Sequence, residues 1–166
     1  MQEEHIVRYL TLSDDPELIS AMGWTPFQHD ERGRFLQSLE TPTIPGHASG
    51  QPIRLSIVTS KDGIPIGYVV LIRLVSAKNT AELAIAIMER GYREGGYGSK
   101  ALRLAIAYAF ETLQVSRIML TVFPHNSRAI HVYKQCGFKQ TQLLTKAWTL
   151  PDHTKADMLV MELEKG

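Results

Sequence analysis

Seven consecutive residues, Arg93-Glu94-Gly95-Gly96-Tyr97-Gly98-Ser99, stand between an apolar run from Ala81 to Ile87 that reads as a strand and a helical pattern that continues to about Leu113. Glycines at 95, 96 and 98 let the backbone take φ > 0 and come close to a ligand. The first N–H groups of the following helix have no partner within it, and they converge with the positive end of the helix dipole. The chemistry on offer is the binding of an anion, most simply a phosphate. Spacing excludes two common phosphate patterns: Ala101 stands where Gly-x-Gly-x-x-Gly needs its third glycine, and no Gly-Lys-Ser/Thr occurs in the chain. What the residues satisfy is Arg-x-x-Gly-x-Gly, at Arg93, Gly96 and Gly98.

A second stretch follows in order. Arg117 to Val122 reads as a strand, and then comes Asn126-Ser-Arg-Ala-Ile-His-Val-Tyr133-Lys-Gln-Cys-Gly-Phe138. Asn126 and Tyr133 are two helical turns apart on one face, so both can line one side of a groove. Asn126 can also cap the helix, and Tyr133 can simply pack. The loop resembles the acetyl-CoA pyrophosphate loop of the GNAT N-acetyltransferase superfamily, Gln/Arg-x-x-Gly-x-Gly/Ala. The second stretch is similar to that family's Asn-x-x-Ala-x-x-x-Tyr-x-x-x-Gly-Phe segment. The resemblance is close from about Ala81 to Phe138 and lies elsewhere in the order of elements, within members similar to spermidine and ribosomal-protein N-terminal acetyltransferases.

Acyl transfer from a thioester to an amine needs a held cofactor, a neutral nitrogen, stabilisation of the oxyanion and a proton for the departing thiolate. The resemblance implies that the backbone of Gly95, Gly96, Tyr97, Gly98 and Ser99 holds the diphosphate of coenzyme A, with Arg93 as a nearby charge and Asn126 beside it. It implies that Ile87, or else Ile85, offers backbone groups to the pantetheine arm and thioester. Tyr133 is then the general acid, since a phenol of pKa about 10 is protonated at neutral pH. Glu82 is a general base, acting directly or through water, or else an edge-strand charge. Family loops commonly read Arg-Gly-x-Gly-x-Gly, whereas Glu94 follows Arg93 here. Facing solvent, that charge is screened over about 8 to 10 Å; facing inward, it weakens the cradle.

These residues need elements to hold them. His5 to Leu10 alternates and reads as a first strand, and Asp15-Pro16 opens a short helix to Met22. A second helix is expected from about Asp30 to Leu39. Between them, Trp24 and Phe27 either close the core or line an acceptor pocket, and the acidic residues Asp14, Asp15, Glu17, Asp30 and Glu31 either attract a cationic amine or are a solvated face. Thr41 to Gly50 reads as a mobile loop. Three strands follow as a meander, with a hairpin turn at Asp62-Gly63 and another turn at Ala77 to Thr80. Leu102, Ala105, Ile106, Ala109, Phe110 and Leu113 then share one helix face. The helix from Asn126 stops at Gly137, and two C-terminal strands close the chain. The expected fold is α/β (α+β): a GNAT-like mixed, mostly antiparallel sheet of six or seven strands flanked by about four helices, in one domain over residues 1–166.

With 18 basic and 17 acidic residues and a net charge of +1, no large basic field exists to grip nucleic acid. No run approaches 18 apolar residues, and the start is acidic, so a cytoplasmic protein with no membrane partner is expected. The lone Cys136 reads as core, and six dispersed histidines predict no metal site. The function expected is acetyl-CoA-dependent transfer to a primary amine, which is a small molecule, a polyamine or a peptide N-terminus. The alternatives are a non-catalytic acyl-CoA-binding module and an unrelated phosphate-binding protein. A homodimer is expected by family analogy.

Overall fold

The computed structural model describes residues 1–43 and 49–166. Three helices come first, α1 (Glu3–Thr11), α2 (Pro16–Met22) and α3 (Arg32–Glu40). The strands β1 (Ser49–Val58), β2 (Pro65–Leu74) and β3 (Thr80–Ile87) follow, then α4 (Tyr97–Glu111), β4 (Arg117–Val122), α5 (Ser127–Gln135), β5 (Lys139–Thr149) and β6 (Lys155–Glu164). One 3-10 turn, Arg90–Tyr92, links β3 to the glycine loop.

The first element corrects the sequence reading. His5 to Leu10 is helical, because Ile6, Tyr9 and Leu10 fall at the i, i+3, i+4 positions that become the buried stripe of α1. Glu3 and Glu4 in the first turn and Arg8 in the last complement its dipole. The described sheet therefore has six strands, not seven, and five α-helices flank it. The mobile loop expected at Thr41 to Gly50 is only partly within the described residues: 44–48 lie outside them, and Ser49 and Gly50 already belong to β1.

Strand order is β1-β2-β3-β4-β6-β5, antiparallel except for β3 and β4. A parallel pair needs a crossover, which α4 supplies. The expected meander and its turn are present, with Gly63 at φ 65°. On β2, Val69 and Leu71 face a cluster with Leu102, Ala105 and Ala109 of α4 and Tyr133 of α5. The alternate residues Tyr68, Val70 and Ile72 face Ile6, Tyr9, Phe27, Phe35 and Leu39 of the N-terminal helices and the loop between α2 and α3. Helices thus cover both faces, which is why β2 reads as a nearly unbroken apolar run. Cys136 packs, partly buried, against the α4–α5 cluster. No helix among the described residues is long and apolar enough to cross a membrane.

Candidate active site

β3 and β4 begin side by side and then part. Their pairing covers Thr80–Arg117, Ala81–Ile118 and Glu82–Met119 and goes no further. Beyond that point β3 stays with β2 as far as Ile87–Gly67, and β4 stays with β6 as far as Val122–Leu159. The gap between them opens into a cavity of about 550 Å³. The Met88 N–H bonds the Ile66 carbonyl at 2.8 Å. By strand alternation Ala84 and Ala86 also turn their backbone groups toward β2, so those of Leu83, Ile85 and Ile87 face the gap.

The glycine loop closes one end of this gap. Gly96 has φ 76° and caps α4 without a side chain to offer, so the amides of Tyr97, Gly98 and Ser99 keep no intrahelical acceptor. Gly96, Gly98 and Ser99 all lie in the cavity wall. The Tyr97 ring stands edge-on to Tyr92 at 5.2 Å, outside the cradle it helps to shape. A Cβ at Gly98 would sit 3.6 Å from Ile87 Cγ1, so the start of α4 lies against the end of β3.

Arg93, expected as a charge near the cradle, lies in the cavity wall with its guanidinium committed to protein acceptors. Its side chain is 5% exposed. Nε donates to the Ile87 carbonyl at 2.9 Å and one terminal nitrogen to the Met88 carbonyl at 2.8 Å. The other terminal nitrogen reaches Asp15 Oδ1 at 3.0 Å and Glu17 Oε2 at 2.8 Å. Asp15 at the same time caps α2, accepting from the Glu17 and Leu18 amides at 2.9 and 3.3 Å. The guanidinium therefore ties the end of β3 to the start of α2. Burial is the largest influence on Asp15 and acts upward, but the Arg93 bond and the helix amides together hold its carboxyl below the usual range. Glu17 is lowered first by the Arg93 hydrogen bond. Since Ile87 spends its carbonyl on Arg93, Ile85 keeps both of its backbone groups toward the gap and Ile87 its N–H.

Glu94 lies in the cavity wall, but its side chain is 90% exposed, so its charge is solvated and screened. Its nearest cation, Arg128 at the start of α5, is 3.9 Å away and also pairs with Glu17 at 2.8 Å. Arg128 is in the cavity wall and is a site residue the sequence reading missed, although it stood inside the quoted segment.

Two groups at the fork in the sheet line the same cavity, Glu82 and Tyr133. Tyr133 on α5 is buried, and its ring packs edge-on to Phe138 at 5.9 Å. Burial alone pushes its phenol up to about 12. Asn126 caps α5, accepting from the Ala129 amide at 3.2 Å, and lies in the cavity wall. Glu82 lies at the last rung of the β3–β4 pairing, 4% exposed, so it is no edge-strand charge. Its carboxylate accepts from the Thr43 amide at 2.9 Å and the Thr43 hydroxyl at 2.5 Å, and that hydroxyl meets Thr121 Oγ1 at 2.5 Å. Thr43 and Thr121 are further residues that sequence reading did not find.

The aromatic pair between α2 and α3 divides its duties. Phe27 is core, edge-on to Trp24 and Phe35 at 5.2 Å. Trp24 lines the cavity, as do Phe123 and Trp148. Trp148 donates to the Gly23 carbonyl at 3.0 Å, and no local signal on β5 announced it. The acidic residues nearby are largely spoken for: Asp15 and Glu17 by Arg93, Glu31 by Arg34. Among the described residues no group of three or more His, Cys, Asp or Glu is placed to hold a metal ion.

A sheet forked at its one parallel pairing, with a bare helix N-terminus at the fork, offers one groove to an anion and to an extended arm along the strand edge. The model of the acetyltransferase (GNAT) domain matches residues 1–139, and the chain belongs to that family. Among its relatives, the spermidine N(1)-acetyltransferase of Escherichia coli K12 is 33% identical over 81 residues, which are 49% of this chain and 43% of that protein. The match thus spans less than half of the curated relative. An uncharacterized N-acetyltransferase of Bacillus licheniformis is 27% identical over 131 residues, 78% of this chain and 71% of its own. The crystal structure of spermidine N-acetyltransferase from Vibrio cholerae in complex with CoA and spermine has the same fold, with a TM-score of 0.79 over 99% of this chain and 92% of that one, at 20% identity.

Proposed function

We propose that this chain transfers an acetyl group from acetyl-CoA to a primary amine by direct transfer, both substrates being held in the forked cavity. The observation that carries the reading is the convergence of three things on one cavity: the uncapped first turn of α4, the open edge of β3, and the pair Glu82 and Tyr133. The residues fit the group, since a diphosphate would occupy amides that have no other acceptor, and a pantetheine arm would pair with the strand edge at Ile85 and Ile87. Bound acetyl-CoA supplies a thioester that an amine can attack. The amides of Tyr97, Gly98 and Ser99 bind its diphosphate, and Asn126 flanks the groove. Arg93 acts at one remove, by fixing where Ile87 and the loop lie. The Glu82 carboxylate takes a proton from the incoming ammonium, directly or through water, and passes it to solvent; the Tyr133 O–H gives a proton to the departing sulfur, and the second proton shed by the acylated nitrogen restores the phenol.

Thermal unfolding with acetyl-CoA, against ATP and NAD, tests the reading. At about 100 times Kd, linkage gives about 2.7 kcal/mol, or roughly 5 to 10 °C in Tm for a chain of this size. An equal shift with all three ligands, or none with acetyl-CoA, overturns it. Thiol release with an amine panel then tests transfer.

Arg128 is expected to become a phosphate contact. It is half exposed, and its pairing with Glu17 is of a kind that exchanges at little cost. Arg128→Ala is expected to weaken acetyl-CoA binding about tenfold, a charged hydrogen bond's worth, and to flatten the salt dependence of Kd measured by calorimetry.

A further inference from the structure

One polar group in the cavity wall has no described function. Tyr68 on β2 is fully buried, and among the described residues its hydroxyl has no hydrogen-bond partner. Its neighbour Tyr9, whose ring centroid is 5.9 Å away, has solved the same problem by donating to the Gly67 carbonyl. Phe35 stands edge-on to Tyr68 at 6.0 Å and offers no acceptor. A buried hydroxyl without a partner is costly and uncommon, and it calls for an explanation.

Register places that hydroxyl relative to the chemistry. Ile72 pairs with Glu82, Val70 with Ala84 and Tyr68 with Ala86. Glu82, Ala84 and Ala86 thus follow one another along the face of β3 that meets the N-terminal helices. Four residues of strand, about 13 Å, separate the level of the carboxylate from that of the phenol. The two alanines leave the ground between them open, and Trp24, Leu39 and Ile72 wall it with apolar surface. Of the three carboxylates in the described wall, Glu82 belongs to the other end, Glu17 is held by Arg93 and Arg128, and Glu94 is open to solvent. A second or third ammonium at that end would be buried without a counter-charge.

Building on the acetyl-transfer reading, we propose that Tyr68 is a specificity-determining residue for the amine. Its O–H donates to a neutral acceptor on the substrate, which is an elongated amine with one cationic centre, an apolar body and a distal carbonyl, and not a polyamine. The ammonium end lies at Glu82 and the carbonyl end at Tyr68.

Three amines of similar reach separate the possibilities: N-acetylcadaverine carries one ammonium and a distal carbonyl, octylamine has a chain of the same length without the amide, and spermidine has three cationic centres. Steady-state thiol release is expected to give N-acetylcadaverine a kcat/KM at least about tenfold above both others in the wild type, since a site built to hydrogen-bond rejects the analogue that cannot. Tyr68→Phe is expected to raise KM for N-acetylcadaverine about tenfold with kcat little changed, and to leave octylamine within about twofold. Without ligand, the same variant is expected to melt about 2 to 4 °C higher than wild type, because it removes an unsatisfied hydroxyl. A wild type that prefers spermidine, a Tyr68→Phe variant that treats the three amines as the wild type does, or a lowered Tm overturns the assignment. If the wild type releases no thiol with any amine while acetyl-CoA gives no thermal shift, it is the acetyl-transfer reading that has failed. Turnover with an unchanged amine ranking condemns the Tyr68 proposal alone.

Discussion

Replacing Tyr133 by Phe is expected to lower kcat for amine acetylation by about 10²- to 10³-fold while the thermal shift given by acetyl-CoA is kept. The substitution removes one oxygen and leaves the ring packed on Phe138, so fold and groove persist. Loss of a proton donor at the leaving group slows only the chemical step. A pure acyl-CoA-binding module would show no turnover to lose, and unchanged turnover would remove Tyr133 from the role of acid. The direction of its shift adds a second readout. Burial raises the phenol to about 12, so the donor form persists through the working range and Tyr133 puts no falling limb on the pH–rate profile below about pH 10. A folded-state value above the unfolded one also means stability that is whole below pH 10 and is lost as pH rises from 10 through 12. That is on the order of 3 kcal/mol from Tyr133. Tyr68, buried likewise, adds in the same direction. Tyr133→Phe is expected to unfold less steeply than wild type between pH 10 and 12 in urea titrations.

The second large effect is on stability. Arg93→Ala is expected to cost about 3 to 5 kcal/mol, seen as a fall in Tm of roughly 10 °C or more. The change deletes a buried fork that serves two carbonyls and two carboxylates, and it leaves Asp15, 16% exposed, without its cation. Arg93→Lys is expected to recover little, because an ammonium cannot meet four acceptors spread over two elements in one plane. Asp15 and Glu17 are lowered in the folded chain, so their contribution is present above about pH 4.5 and is lost as pH falls through their depressed values. The variant should therefore lose part of the wild-type acid sensitivity, with wild type and Arg93→Ala converging in urea midpoint as pH drops below 4. Parallel curves over that range would mean that Arg93 acts through packing alone.

The cradle and its helix were legible in sequence because both are local: three glycines set what the backbone can do, and a 3.6-residue period sets where α4 lies. Asn126, Tyr133 and the Gly137 stop were legible for the same reason. The first six apolar-rich residues were not, since Ile6, Tyr9 and Leu10 satisfy a helix while His5 to Leu10 also alternates, and only burial of the stripe decides between the two periods. The partners of Arg93 were not legible, because a loop pattern says nothing of where a long side chain turns. Its partners, Asp15 and Glu17, are 78 and 76 residues away. The link from Glu82 through Thr43 to Thr121 spans 39 and 78 residues and leaves no periodic trace. The fork itself is the end of a pairing, a property of two strands and not of either one.

That fork has a further meaning for how the chain is put together. The sheet is two antiparallel three-stranded halves, β1–β2–β3 and β4–β6–β5, stitched along a seam of three residue pairs. Glu82 and the phosphate loop belong to the first half in sequence, Tyr133 and Asn126 to the second. Neither half carries both groups, and the short seam, with α4 lying over it, sets the separation of carboxylate and phenol. On the roles proposed for them, acceptor and donor share one cavity only when both halves are folded against each other.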